Sequence, residues 1–311
     1  MQTTDITQYK YALPSLTKLF AKFTEQKAID TTAFLGQWPT RYQSNASAAD
    51  LTVMMDHLDL AGVCVSHIAS IHGHDTRSGN EALWRECEAD RRLWPFAILN
   101  PTEPGWREEL AWATSSGAYG VRLLPGFHHY DMDHPEAKAL AQAVRHTGLP
   151  LQVCLRLQDE RLQHPCYKVE PLSTHAIVKL AIDLEGHPLL VSGIREYEWD
   201  EIWRQLPSEL QSGQILFDLW YCKSPISVIA SLCQRGGAGA FVYGSCVPLH
   251  IPEATVLQLA AAEISEEERY ALSRGNALRF LGLSQQTTES MGIDNVKGDP
   301  TYGLVIREEA R

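Results

Sequence analysis

Four groups of side chains in this sequence could carry chemistry. The first is a set of arginines on an otherwise acidic chain: Arg122 in Gly-Val-Arg-Leu-Leu-Pro, Arg156 and Arg161 around Gln158-Asp159-Glu160, and Arg195 after Ser192-Gly193-Ile194. A guanidinium is a planar fork of donors that grips a carboxylate or phosphate through two bonds at once. The set therefore suggests a pocket for a small anion. Structural ion pairs, for instance Arg156 or Arg161 with Asp159 or Asp218, explain it equally well. The second group is Asp218 with His128. Asp218, or Asp159 in its place, could activate a water, His128 could move the proton, and Tyr130 could orient a substrate. The plainer reading is a hydrogen-bonded core aspartate and a solvated loop histidine. The third is Cys246, which follows an apolar run, precedes the helix signal at Pro252 and stands near His250; a lowered thiol pKa would make it a nucleophile, although a small packed residue is the commoner outcome. The fourth is His72-Gly73-His74-Asp75, which with His67, His128 and His129 could assemble a metal site, though two loop histidines alone are a thin ligand set.

These residues need a scaffold, and the hydrophobic pattern supplies one. Short runs rich in Val, Ile, Leu and Phe start near residues 29, 62, 94, 118, 151, 188, 214 and 240, and amphipathic helical runs follow each. A crossover of that length returns the chain to a parallel neighbour, and eight such units fit a (β/α)8 barrel. A doubly wound sheet would be expected to carry a Gly-rich loop after its first strand, whereas Asp30–Gly36 holds one glycine. Ser47 and Ser224 read as helix caps, Pro135, Pro225 and Pro252 as first-turn prolines, and Ser265 with Glu268 as a capping box. The expected division is an N-terminal helical extension over 1–28, whose helix could cover the barrel floor, a barrel over 29–283, and a tail over 284–311. In a parallel barrel the reactive groups gather at the C-terminal strand ends. Strand parity puts Asp30, Thr32 and Phe34 on one face and Gly120 with Arg122 on one face. Trp38, in the loop after the first strand, could line the pocket.

Several stretches in this order resemble the amidohydrolase superfamily, in its branch of barrel hydrolases, lactonases and decarboxylases. They are Asp56-His-Leu-Asp-Leu-Ala-Gly-Val63, Asn80 opening a helix, Ile98-Leu-Asn-Pro101, Gly120-Val-Arg-Leu-Leu-Pro125 and Arg274-Gly-Asn276-Ala-Leu-Arg-Phe-Leu-Gly-Leu283. The resemblance covers roughly Ile29 to Leu283 and implies a (β/α)8 barrel with hydrolase-type activity. It also implies a divalent metal held by an Asp-x-His-x-His first strand, a histidine ending the sixth strand and the aspartate of Gly-Ser-Asp-x-Pro after the eighth. Here those positions read Asp30-Thr31-Thr32-Ala33-Phe34, Leu189-Leu-Val-Ser-Gly193 and Gly244-Ser245-Cys246-Val247-Pro248. Neither a threonine hydroxyl nor a phenyl ring replaces imidazole as a metal ligand.

Composition narrows the setting. The 311 residues are 44% apolar and 21% charged, with 27 Lys plus Arg against 38 Asp plus Glu, a formal charge of -11. That argues against nucleic acid or an anionic membrane surface as partner. Seven scattered cysteines without a CxxC pair suit reduced thiols and a cytoplasmic setting. Met1–Lys10 is polar and shows no secretory signal, and no apolar run reaches membrane-spanning length. Some apolar helix faces would suit a homo-oligomer. The leading expectation is a hydrolase or lactonase without metal or other cofactor, acting on a small carboxylate-bearing or hydroxylated substrate. Its catalytic residues would be Asp218, His128 and Asp159, and its binding residues Arg122, Arg156, Arg161, Tyr130, Thr32, Trp38 and Cys246. The alternatives are a barrel that has lost catalysis and binds a ligand or partner, its pocket plugged by side chains such as Phe34, and a metal enzyme with ligands relocated to His72 and His74.

Overall fold

In the computed structural model eight parallel strands pair in chain order: β1 (Ile29–Leu35), β2 (Gly62–His67), β3 (Leu93–Ile98), β4 (Gly120–Leu123), β5 (Leu151–Cys154), β6 (Leu189–Ser192), β7 (Ile215–Asp218) and β8 (Phe241–Val242). The structure describes residues 16–284 except 41, 44–45, 166–167 and 224. Ser224, Cys166, and the stretches 1–15 and 285–311 of the expected extension and tail lie outside the described residues.

The ring closes just past β8. Thr31 N donates to Tyr243 O (3.1 Å), Cys246 N to Thr32 O (2.7 Å) and Phe34 N to Val247 O (2.8 Å), so the chain after the short β8 runs beside β1. The expected (β/α)8 barrel is the fold.

The helices are α1 (Leu16–Thr24), α2 (Ala48–Leu58), α3 (Ala69–His72), α4 (Thr76–Cys87), α5 (Trp106–Ser115), α6 (Pro135–Thr147), α7 (Thr174–Asp183), α8 (Glu196–Gln205), α9 (Val228–Gly236), α10 (Pro252–Ala261), α11 (Glu266–Tyr270) and α12 (Asn276–Leu281). Capping boxes at Ser47/Asp50 and Ser265/Glu268 start α2 and α11, and prolines open α6 and α10. Gly148 ends α6 at φ 76°, where a side chain would be strained.

Some boundaries differ from the pattern. α4 starts at Thr76 instead of Glu81 because the Asp75 carboxylate accepts from Ser78 N at 2.7 Å. α8 starts at Glu196, three residues ahead of the apolar Trp199, and α9 starts at Val228, past Pro225. The floor is closed from the other end of the chain, where Ala277, Leu278 and Phe280 of α12 pack under Ile29, Trp94 and Phe96. α1 packs along α10, with Phe20 near His57 of α2 and Phe23 edge-on to Tyr243.

Parity sorts the strands. Odd-numbered residues such as Val63, Val121, Val153, Val191 and Phe217 face the helices. Even-numbered residues fill the lumen in three tiers. Cys64, Trp94, Phe96, Leu190 and Leu216 form an apolar base. Thr32, Arg122, Gln152, Ser192 and Asp218 form a polar middle, all fully buried. Phe34, Ile98, Cys154 and Cys246 form an apolar top, joined by Trp38, Ile68, Ile71, Leu124, Phe127, Leu157, Trp220 and Leu249 from the loops. Burying one large apolar side chain contributes about 1.5–3 kcal/mol, so the top tier is a strongly favoured seal.

Candidate functional site

The polar tier is one directed network. Arg122 Nε donates to Gln152 Oε1 (2.7 Å), Gln152 Nε2 to Thr32 Oγ1 (2.7 Å) and Thr32 Oγ1 to Asp218 Oδ2 (2.7 Å). From the other side Trp220 Nε1 donates to Ser192 Oγ (3.1 Å), which donates to Asp218 Oδ2, while Gly193 N donates to Oδ1 (3.0 Å). Every chain of donors ends on the Asp218 carboxylate, and such chains strengthen one another in a low-dielectric interior. Beside it, Asp30 accepts from the amides of Thr32 and Ser245 (3.0 Å each) and from Ser245 Oγ (2.5 Å). Burial is the largest influence on both carboxyls. It raises Asp218 from 3.8 to about 6 and Asp30 from 3.8 to about 7, against hydrogen bonds that pull down.

Arg122 is structural in this setting. Its remaining donors go to Ala33 O (2.9 Å), Thr31 O and Cys64 O (3.2 Å each), and its cation lies 4.6 Å from the Phe34 ring centroid. It ties β1, β2, β4 and β5 together and holds positive charge beside Asp218.

The residues present do not fit the metal centre that the resemblance implies. Asp218, at the end of β7, is the carboxylate that meets Thr32 at the first-strand ligand position, and its oxygens are taken by three donors. Thr32 is spent in the network and Phe34 is apolar. Burial holds the Cys246 thiol well above its ordinary pKa, with Sγ facing Leu157 O at 3.9 Å, which argues against an activated nucleophile. The Arg122 cation in the same chamber opposes a divalent ion. Among the described residues no group of three or more His, Cys, Asp or Glu is placed to hold a metal.

The relocated set does not assemble either. His67 Nε2 faces Glu86 at 3.3 Å while its Nδ1 accepts from Ala69 N, and His74 is exposed. His72 lies among rings, 4.6 Å from Trp38 and 5.8 Å from Phe127, and burial lowers it to about 4.

The expected acid–base pair does not meet. His128 Nε2 bonds Ser70 O at 3.2 Å, and burial lowers its pKa to about 4. Asp159 is held by Arg161 (3.0 and 2.7 Å) and lies well below the usual carboxylate range. Tyr130 is buried with its hydroxyl unpartnered among the described residues, as are Trp38 Nε1 and His128 Nδ1. Trp38 belongs to the seal and not to a pocket wall.

The other arginines divide. Arg156 is buried and saturated by Glu160, Glu198 (2.7 and 2.5 Å) and Gly193 O. Arg195 pairs with Glu160 and Glu198. Arg161 is 87% exposed and holds Asp159. Arg161 and Arg195 edge a polar hollow of about 480 Å3 with Tyr221 and Lys223. The ion-pair reading, and not the anion pocket, describes Arg156; its partner is Glu198 in place of the expected Asp159 or Asp218.

A larger opening lies at the β8–β1 seam. This cleft of about 1110 Å3 runs between α2 and α10, and its lining includes Trp220, Lys223 and His250. Lys223 stood outside every candidate group, and its motif, Tyr-Cys-Lys-Ser-Pro, gives no sign of it. Gln152, Ser192 and Glu198 were missed too. Parity applied to β5 and β6 would have placed Gln152 and Ser192 in the tier with Arg122.

The amidohydrolase family profile matches residues 33–283. No curated protein sequence matches the chain. Among solved structures, a probable 2-pyrone-4,6-dicarboxylic acid hydrolase from Acinetobacter baumannii with citric acid bound is similar at a TM-score of 0.61 and 14% identity, over 83% of this chain and 100% of that one. A 5-carboxyvanillate decarboxylase from Sphingomonas paucimobilis gives 0.61 and 14%, over 83% and 99%. A dihydroxybenzoic acid decarboxylase from Polaromonas with bound manganese and 2-nitroresorcinol gives 0.59 and 13%, over 82% and 96%. At such identities the likeness is one of fold. The profile match spans most of the sequence, and the chain belongs to the amidohydrolase family.

Proposed function

We propose that this chain is a non-hydrolytic amidohydrolase-family barrel that binds a small carboxylate-bearing ligand without a divalent metal. The observation that carries the reading is the filled lumen: Thr32, Asp218, Ser192 and Arg122 satisfy one another where a metal and its water would sit, and Phe34 with its neighbours covers them. A catalytic carboxylate must reach a water and a substrate. Asp218, at 0% exposure with both oxygens engaged, reaches neither. The raised pKa values of Asp218 and Asp30 would suit a general base, but burial alone accounts for them. Binding of a carboxylate is the activity left to the cation-bearing clefts at the strand ends.

The experiment screens the purified full-length chain against lactones and small acid esters, with and without prior chelation. The expected result is no turnover above buffer for wild type or Asp218→Asn. Chelator-resistant turnover that Asp218→Asn lowers by about 100-fold, the scale of a general base, would restore the metal-free hydrolase.

A further inference from the structure

The cleft at the β8–β1 seam has the composition of a ligand site. Tyr42, Val53, Ile226 and Ile251, each more than 60% exposed, all line it, with Met54 and Leu249 between them. An apolar concavity with a few placed polar groups is the usual form of a small-molecule site, and such sites run to about 1,000 Å3. Exposed apolar side chains gathered in one concavity also call for an occupant in a way that scattered ones do not.

Its polar end is built. His250 Nε2 bonds Leu157 O at 3.2 Å and its ring lies 4.5 Å from Trp220, which fixes the imidazole. Nδ1 then faces Lys223 Nζ at 3.3 Å as an acceptor. The ammonium also sits 4.7 Å from the Tyr221 ring centroid. Lys223 is thus held by two neutral groups, and among the described residues no carboxylate lies within ion-pair distance of it. It keeps donors to spare at the cleft wall, where the Asp159 carboxylate acts on it only from beyond ion-pair distance. The two carboxylates of the cleft, Asp50 and Glu253, belong to the first turns of α2 and α10, and Asp50 is closed into the Ser47 cap. They disfavour a second negative charge on the guest.

We propose that this cleft binds an apolar organic monocarboxylate, with the carboxylate on Lys223 and the body against Met54, Leu249, Ile226 and Ile251. This deepens the binding reading given above and places the ligand outside the sealed lumen.

The test is calorimetric titration of the full-length chain at pH 7.5 with 2-naphthoate and with 2-naphthamide, which is nearly the same shape without the charge. Naphthoate should bind at least about ten-fold more tightly, as one desolvated ion contact allows. Lys223→Met should bring naphthoate down to the amide's affinity, and Lys223→Arg should keep most of the preference. Ile226→Asp should weaken both. Lys223 and Ile226 are exposed, so these variants leave the core intact. Absent binding, equal binding of the two compounds, or a preference that survives Lys223→Met overturns the site. None of those results bears on the sealed lumen, which metal content and hydrolysis test separately.

Discussion

Asp218→Asn separates a sealed structural carboxylate from an accessible catalytic one through the pH dependence of stability. Asp218 moves from 3.8 to about 6 on folding because burial penalises its charged form. A carboxyl with a raised folded pKa holds its proton more tightly in the folded chain, so its contribution is fully present below the unfolded value and is lost as pH rises through the folded one. The shift of roughly two units corresponds to about 3 kcal/mol between pH 3.8 and pH 6. Between pH 4.5 and pH 7.5 the wild type should lose about 2 kcal/mol from this group alone. Asparagine keeps the shape and cannot ionise, so that portion of the slope disappears. Its amide reverses the donors toward Thr32 and Ser192, whose hydroxyls must turn, so the two proteins will differ in absolute stability at both pH values. Only the difference between pH values isolates the Asp218 proton. Asp30 titrates in both proteins and largely cancels. Urea unfolding followed by far-UV circular dichroism gives both profiles. If they run parallel, Asp218 titrates as a solvated carboxylate and the lumen is open.

Other consequences follow from the same geometry. Arg156→Met should lower unfolding free energy by up to about 3 kcal/mol, because it takes the main cation from the buried Glu198 carboxylate and leaves it Arg195 alone, whereas Arg161→Ala on the exposed rim should leave the urea midpoint in place. Equal effects would mean that the two arginines share one environment. Cys246 should resist iodoacetamide in the native protein and react only once urea unfolds it, as peptide mass spectrometry would report; early alkylation of Cys246 would expose the top tier.

The fold was readable because the apolar runs repeat with a period that parallel crossovers require, and because Ser47, Pro135, Pro252 and Ser265 mark helix starts in one register with those runs. The absence of the metal ligands was readable from Thr32, Phe34 and Cys246. The site was not, because its chemistry depends on which donors converge. Arg122 looks the same in sequence whether it faces a ligand or four protein acceptors. Asp75 reads as a neighbour of histidines until the α4 cap claims it. Glu198 sits within a helix pattern, and only the turn after β6 brings it to Arg156. Lys223 gains meaning from His250, Trp220 and Tyr221, two of them in its own loop and the third beyond β8.

A network of side chains stands where the family pattern would put a divalent ion. Elemental mass spectrometry of the purified, tag-free, full-length chain counts zinc, manganese and iron directly. The expected content is well below one equivalent of each, unchanged in Asp218→Asn and in His74→Ala. Near one metal per chain, lost in either variant, would contradict it: loss with Asp218 would put an ion back in the lumen, and loss with His74 would put one in the loop after β2.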